Sequence, residues 1–284
     1  MKKTALALLL FLSTWILPLQ ADSYRFEKKE DIQKTLKFQD PGKLKDLQLD
    51  NIWGSIVLRG YDGKDVRLTA HKAIKARTPE RIDRAQKEVT LDITEEGNLI
   101  DIYVNGPFRC QEKGRRKDKH DPGYEVHYNF EIKIPRRTNI FIKTVTDGDI
   151  DISHVEGEFE VKNVNGKIFM SDVTGSGFAH TVNGEVKVAF SQNPGSDCSF
   201  QTINGDIEVE FVKNLSADFW LKTFNGEAFS DFPITYLPAS SPKVEKKEGK
   251  YVYQSSRTVG VRVGSGGPEI KMNTLNGDIL INKK

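Results

Sequence analysis

A four-residue phrase recurs through the second half of this chain and constrains its fold more than any other feature. It reads T-V-N-G at Thr181–Gly184, T-I-N-G at Thr202–Gly205, T-F-N-G at Thr223–Gly226 and T-L-N-G at Thr274–Gly277, with the variant N-V-N-G at Asn163–Gly166. A turn repeated between strands marks a stacked architecture in which each coil buries its apolar side against the next. The glycines at 148, 157, 166, 175 and 184 are spaced by nine, and the step then widens to 21 at Gly205 and again at Gly226. Nine residues make one strand and one turn, and two such steps make a coil. The predicted turn residues are Asn165, Gly166, Asn183, Gly184, Asn204, Gly205, Asn225, Gly226, Asn276 and Gly277. Asn-Gly corners tolerate positive φ at both positions, the expected reason for the pair.

After each corner the side chains alternate. Ile150, Phe159, Ile168, Val186, Ile207, Ala228 and Ile279 stand two places past a glycine. Ile152, Val161, Met170, Val188, Val209, Ser230 and Ile281 stand four past. This period of two predicts strands with one face in a core. Asp149, Asp151, Lys167, Glu185, Lys187, Asp206 and Glu208 fall between them and face solvent. Stacking places the threonines in one column and the asparagines in another. The fold class is therefore all-β: a β-helix or β-solenoid-like stack, one strand per turn. An exposed terminal coil leaves an open edge, which Lys283 and Lys284 are placed to blunt.

The first half has another rhythm. N-I-W-G at Asn51–Gly54 is a degenerate copy of the turn, with Trp53 in the asparagine slot. Strands are predicted at 66–70, 88–93, 99–104 and 124–134, and one short helix over 78–87, where Pro79 stands at a first-turn position. Residues 22–284 read as one continuous domain: a strand-rich part over 22–139, then coils over 140–284 interrupted at 232–268. Tyr251–Gln254 and Thr258–Val263 are expected to pair as a hairpin within that interruption.

The first 21 residues read as an export signal: Lys2 and Lys3, an apolar run from Ala5 to Leu17, and a small residue, Ala21, at the cleavage position. The run is shorter than the roughly 20 residues a spanning helix needs, so no transmembrane segment is expected in the mature chain. The chain carries 42 Lys+Arg and 40 Asp+Glu, and removing residues 1–21 leaves 40 of each. Such balance argues against a global grip on nucleic acid. The basic run Lys113–Lys119 is read as a solvated loop, with anionic polysaccharide or lipid headgroups as its alternative partners. Cys110 and Cys198 are the two cysteines, and an oxidising compartment permits a bridge between them.

With those residues in view, the chain resembles the bacterial candidate-adhesin family DUF4097. The resemblance is carried by Asn51–Ala70, by the N-G-[DEK]-[IV] turns and by G-S-G-G-P-E-I-K-M-N-T-L-N-G-D-I at Gly264–Ile279. It implies an all-β solenoid in the cell envelope or outside the cell, and it brings no catalytic residues to carry over. The basic insertion near 107–123 and the late insertion depart from the pattern, and specific contacts are expected there.

No catalytic, cofactor or metal site is predicted. Each repeat has one glycine rather than the G-G-x-G-x-D of a calcium β-roll. His71, His120, His127, His154 and His180 show no metal-ligand spacing. The expected function is a non-catalytic exported binding or scaffold protein, its partner an envelope polysaccharide or a surface or periplasmic protein. Two alternatives stay open. One is a carbohydrate-active β-helix enzyme using the exposed carboxylates Asp149, Asp151, Glu185, Asp206 and Glu208. The other is a periplasmic accessory of envelope-stress signalling.

Overall fold

The computed structural model describes residues 24–40, 42–109, 122–238, 243–247, 250–254 and 258–284. The chain opens with β1 (Phe26–Lys37), β2 (Asp46–Asp50), β3 (Ile56–Tyr61) and β4 (Asp65–Ala76). Helix α1 (Pro79–Glu88) follows, then β5 (Thr90–Glu96), β6 (Leu99–Asn105) and β7 (Tyr124–Pro135). Short strands come next: β8 (Asn139–Lys143), β9 (Ile150–Ser153), β10 (Phe159–Lys162), β11 (Ile168–Val173), β12 (Gly177–His180), β13 (Val186–Phe190), β14 (Cys198–Gln201), β15 (Ile207–Phe211), β16 (Ala217–Lys222) and β17 (Ala228–Ser230). The chain ends with β18 (Ile234–Tyr236), β19 (Lys243–Lys247), β20 (Lys250–Gln254), β21 (Val259–Val263), β22 (Glu269–Asn273) and β23 (Ile279–Lys283).

Two sheets face each other. The first runs β1-β4-β7-β3-β9-β11-β13-β15-β23-β17, and the second β18-β21-β16-β22-β14-β12-β10-β8-β2-β6-β5. A coil is one strand of the second sheet, a corner, and one strand of the first. The stack begins with β2/β3 and proceeds through parallel pairs to β14/β15. It then leaves chain order. The last coil in sequence, β22/β23, lies between β14/β15 and β16/β17. The open edge is therefore not the C-terminal strand: β17 lies outside β23, and Lys284 Nζ reaches Asp172 Oδ1 at 3.3 Å instead.

The alternating apolar residues of β9, β10, β11, β13, β15 and β23 are all buried, and Phe159, Phe190, Phe200, Phe211 and Phe219 form a chain of ring contacts along the stack. Ala228 and Ser230 are exposed, because no further coil covers β17. At the other end the antiparallel strands β1, β4 and β5 close the sheets, and α1 packs on β4 and β7 through buried Ile82 and Ala85.

Two expectations need correction. Tyr251–Gln254 does not pair with Thr258–Val263: β20 pairs with β19, while β21 runs antiparallel beside β16 and β18. The corners also owe their glycines to something other than positive φ at both positions. Among the described residues the non-glycine positive-φ positions are Asp147, His154 and Asp172, so no corner asparagine is one. The requirement is close approach between coils: a Cβ on Gly184 would stand 2.2 Å from the Gly166 carbonyl oxygen, and one on Gly205 would stand 2.1 Å from that of Gly184.

Candidate binding face

The corners hold two ladders. Thr181, Thr202, Thr274 and Thr223 donate through Oγ1 to the carbonyls of Gly166, Gly184, Gly205 and Gly277 at 2.8–3.0 Å. Thr144 Oγ1 and Asn163 Nδ2 likewise donate to the carbonyls of Gly54 and Gly148. Outside them, the amides of Asn183, Asn204, Asn276 and Asn225 donate in turn to Asn165, Asn183, Asn204 and Asn276 at 2.7–2.8 Å. Every predicted turn residue is engaged in stacking, so these residues position the sheets rather than a ligand.

The outer face of the second sheet is where a ligand has room. Register places Gln48, Phe141, Glu160, Phe178, Ser199, Lys271 and Trp220 side by side on successive strands. Their chain neighbours, such as Ile140, Ile142, Val161, Ala179 and Phe200, are buried, so pleating turns this row outward. Gly177, next to Phe178 in the chain, is in register with buried Phe159 and so belongs to the inward set; a Cβ there would lie 1.9 Å from the Phe159 carbonyl oxygen, which holds the position to glycine. A groove of about 640 Å³ on this face is lined by Phe141, Glu158, Glu160, Ser176, Phe178 and Asp197 among others. Two smaller hollows of about 290 and 230 Å³ continue past Phe178 towards His180, Gln201 and Lys271.

The groove is polar at its rim. Lys162 Nζ donates to Glu160 Oε1 at 2.5 Å and stands 5.0 Å over the Phe178 ring. Asp197 Oδ1 accepts the Glu269 backbone N–H at 2.8 Å, and Gln201 Nε2 donates to Ser199 Oγ at 3.1 Å. Beneath it Cys198 is buried and unbridged, its thiol pushed up by burial. Cys110, His120 and the basic run Lys113–Lys119 lie outside the described residues, as do residues 1–21, expected from the sequence to be an export signal.

The carboxylates considered for catalysis do not meet in this groove. They lie on the first sheet and its corners, where Asp149 and Asp206 accept the backbone N–H groups of Lys167 and Asp278 at 2.7 and 2.8 Å. Glu208 pairs with Lys187 at 2.7 Å and Glu185 with Lys167 at 3.5 Å. His71 contacts Asp31, His127 contacts Glu125 and His154 contacts Asp172. Among the described residues no group of three His, Cys, Asp or Glu could hold a metal ion. Sequence reasoning missed Phe141, Phe178 and Trp220. Their signal was an aromatic in the outward slot of a strand whose neighbours are apolar.

The sequence model of the family described as Toastrack DUF4097 matches residues 137–282, just over half of the chain. The chain belongs to the DUF4097 family. No curated protein matches it. This DUF4097 chain is similar to a candidate cell adhesion protein from Clostridium sporogenes of known structure, with a TM-score of 0.41 and 14% identity over 90% of this chain and 100% of that one. It is also similar to a candidate adhesin from Bacteroides fragilis, with a TM-score of 0.39 and 13% identity over 90% and 97%. A third structure, a candidate lipid-binding protein from Parabacteroides distasonis, aligns with a TM-score of 0.32 and 14% identity over 92% and 98%. Among the described residues of this DUF4097 chain no helix is long and apolar enough to cross a membrane.

Proposed function

We propose that this protein is an exported, non-catalytic, adhesin-like binding protein of the cell envelope, and that it holds an extended glycan against the outer face of its second sheet. One observation carries the reading. Phe141 and Phe178 stand two strands apart in register with Glu160 between them, and all three line one groove. Two strand spacings are roughly 9–10 Å, a separation that sets two aromatic faces under alternate rings of an extended sugar chain. Aromatic faces pack against the C–H side of a sugar, and Glu158, Ser176 and Asp197 at the rim supply acceptors for its hydroxyls. That the carboxylates considered for catalysis lie on the other sheet, engaged with backbone N–H groups and lysines, supports a binding role for this groove over an enzymatic one.

Two experiments test it. Wild-type protein and Phe178→Ala are applied to a panel of envelope polysaccharides, with far-UV circular dichroism confirming that both are folded. A loss of about tenfold or more in affinity, some 1.4 kcal/mol, is expected for the variant. Equal binding by both, or wild-type binding to no glycan, removes this face from the assignment. Product release during the incubation would instead favour an enzyme. Export is tested separately by fractionation and protease digestion of a tagged protein in intact cells; retention in the cytoplasm would overturn it.

A further inference from the structure

We propose that the outer face of the first sheet carries a second binding site, a row of cations that takes the phosphate groups of an extended polyanion. Register sets Thr35, Arg67, Lys133, Arg59, Ser153 and Ser171 next to one another on six successive strands. The central three are cations, all exposed, and each sits directly opposite the next. Like charges directly opposite across strands are destabilising, so an unneutralised row of this kind works against the fold.

The protein does not neutralise it. Among the described residues neither Arg59 nor Lys133 has an ion-pair partner, whereas further along the same face Lys187 is paired with Glu208 and Lys167 with Glu185. Glu131 and Asp151 sit on the adjoining register row, where Glu131 Oε1 lies 3.9 Å from His71 Nε2. Asp62 is engaged by Arg136 at 2.8 Å. Arg67 has its guanidinium over the Tyr61 ring at 5.1 Å, which orients it before any ligand arrives.

The surface between the cations is concave, a hollow of about 290 Å³ lined by Val57, Arg59, Arg67, Thr69, Glu131 and Lys133. At strand spacing the three cations span roughly 10 Å; exposed Thr35 continues the row on one side, and buried Ser153 then exposed Ser171 on the other. A line of donors with no carboxylate in it, running across the strands, fits a linear ligand with closely spaced oxyanions. Arginine forks and a lysine point charge suit phosphate oxygens.

The test uses full-length mature protein and long-chain inorganic polyphosphate, with orthophosphate, dextran and phosphatidylglycerol vesicles as comparison ligands. Arg59→Gln with Lys133→Gln is compared with Lys213→Gln with Lys222→Gln, which removes the same charge from exposed sites elsewhere. Wild type is expected to bind polyphosphate and not dextran. The row variant should lose about tenfold or more, with a salt dependence shallower by roughly two in the log–log slope, while the control variant stays close to wild type. Equal losses in both variants would reduce the effect to net charge and overturn the site. Binding to vesicles but not to polyphosphate would overturn the extended ligand. The site is independent of the glycan groove, so Phe178→Ala should bind polyphosphate as wild type does even if the groove assignment fails.

Discussion

Gly184 can be nothing larger, because the carbonyl oxygen of Gly166 stands 2.2 Å from where a Cβ would be. That oxygen is also the acceptor for Thr181, so it cannot swing away without breaking a bond of 2.8 Å. Gly184→Ala is expected to cost about 3 kcal/mol or more, read as a lowered urea midpoint; a variant within 1 kcal/mol of the parent, roughly one hydrogen bond, would show that the stack can dilate. Lys72 presents a different residue-scale problem. It is buried, donates to the Val89 carbonyl at 3.1 Å and lies 5.4 Å from the Tyr128 ring. Burial holds its amine below the ordinary 10.5, with Glu30 opposing that shift and Lys28 adding to it. Between the depressed value and 10.5 the unfolded chain binds the extra proton, so stability gains from Lys72 as pH rises through that window and carries the full cost of the buried charge below it. Lys72→Met should therefore change neutral-pH stability by less than about 1.5 kcal/mol and flatten the rise between neutral pH and 10.5. Urea midpoints across that range decide it, and a parallel pair of curves would reject the assignment. Neither position was legible in full. Asn-Gly announced a corner at 183–184, but its reason, a carbonyl from the next coil, is a contact between residues 18 apart in sequence. Lys72 stands at an inward place of β4, in phase with Val66, Leu68, Ala70, Ile74 and Ala76, where alternation calls for an apolar residue, and only the fold shows the Val89 carbonyl that satisfies its amine.

At the scale of elements, the asparagine ladder ties coils along one edge of the corners. Asn204 donates to Asn183 and accepts from Asn276, whereas Asn225 at the end of the ladder only donates, to Asn276. Asn204→Ala should therefore destabilise by about 1–2 kcal/mol and Asn225→Ala by about half that, in paired thermal or urea unfolding; equal effects would mean the ladder does not act as a continuous element. Strands β9, β10, β11, β13 and β15 could be read in advance because each carries its own instruction, apolar residues two and four places after a corner glycine; β12 and β14 do not follow that spacing and went unread. Strand β1 could not. F-E-K-K-E-D-I-Q-K-T-L-K offers only Phe26, Ile32 and Leu36 to a core, and most of its side chains are exposed. It is a strand because β4 presents twelve residues of unpaired edge, which its backbone satisfies along the whole length. The late hairpin failed for a related reason. Val259–Val263 alternates like any strand, yet its partners are β16 and β18, and alternation alone does not say which edge a strand will take. The outward aromatics of the binding face went unread likewise: Phe141 and Phe178 look like core residues until the register shows which way the pleat turns them.

For the whole molecule the order of the coils is the consequential fact. In a solenoid each coil touches only its neighbours, so the chain terminus is ordinarily the cheapest coil to remove. Here the C-terminal coil is internal. Strand β22 lies between β14 and β16, and β23 lies between β15 and β17. Its corner receives the Asn225 amide on one side and gives its own amide to Asn204 on the other, while Thr274 reaches back to Gly205 across 69 residues of sequence. Deleting residues 269–284 would therefore do more than shorten the stack. It would strip the parallel partner from β16, leave β17 unpaired and open the layer of Phe200, Ile207 and Phe219 to water. The expected product is an aggregation-prone protein whose coils from β16 onward are unfolded, seen as lost β-sheet circular dichroism and rapid proteolysis after about residue 212. A truncated chain that unfolds cooperatively at the parent's urea midpoint would show instead that β16/β17 can close directly onto β14/β15. That closure has a sequence basis to overcome, since both coils carry the same T-x-N-G corner at the same 21-residue step. The returning segment must therefore win its place against a neighbour with an equally good corner. It does so with Ile270, Met272, Ile279 and Ile281, all buried, where the displaced coil offers Ala228 and Ser230 on its β17 side. The apolar difference between those two strands of the first sheet decides which coil is inside and which is left at the end.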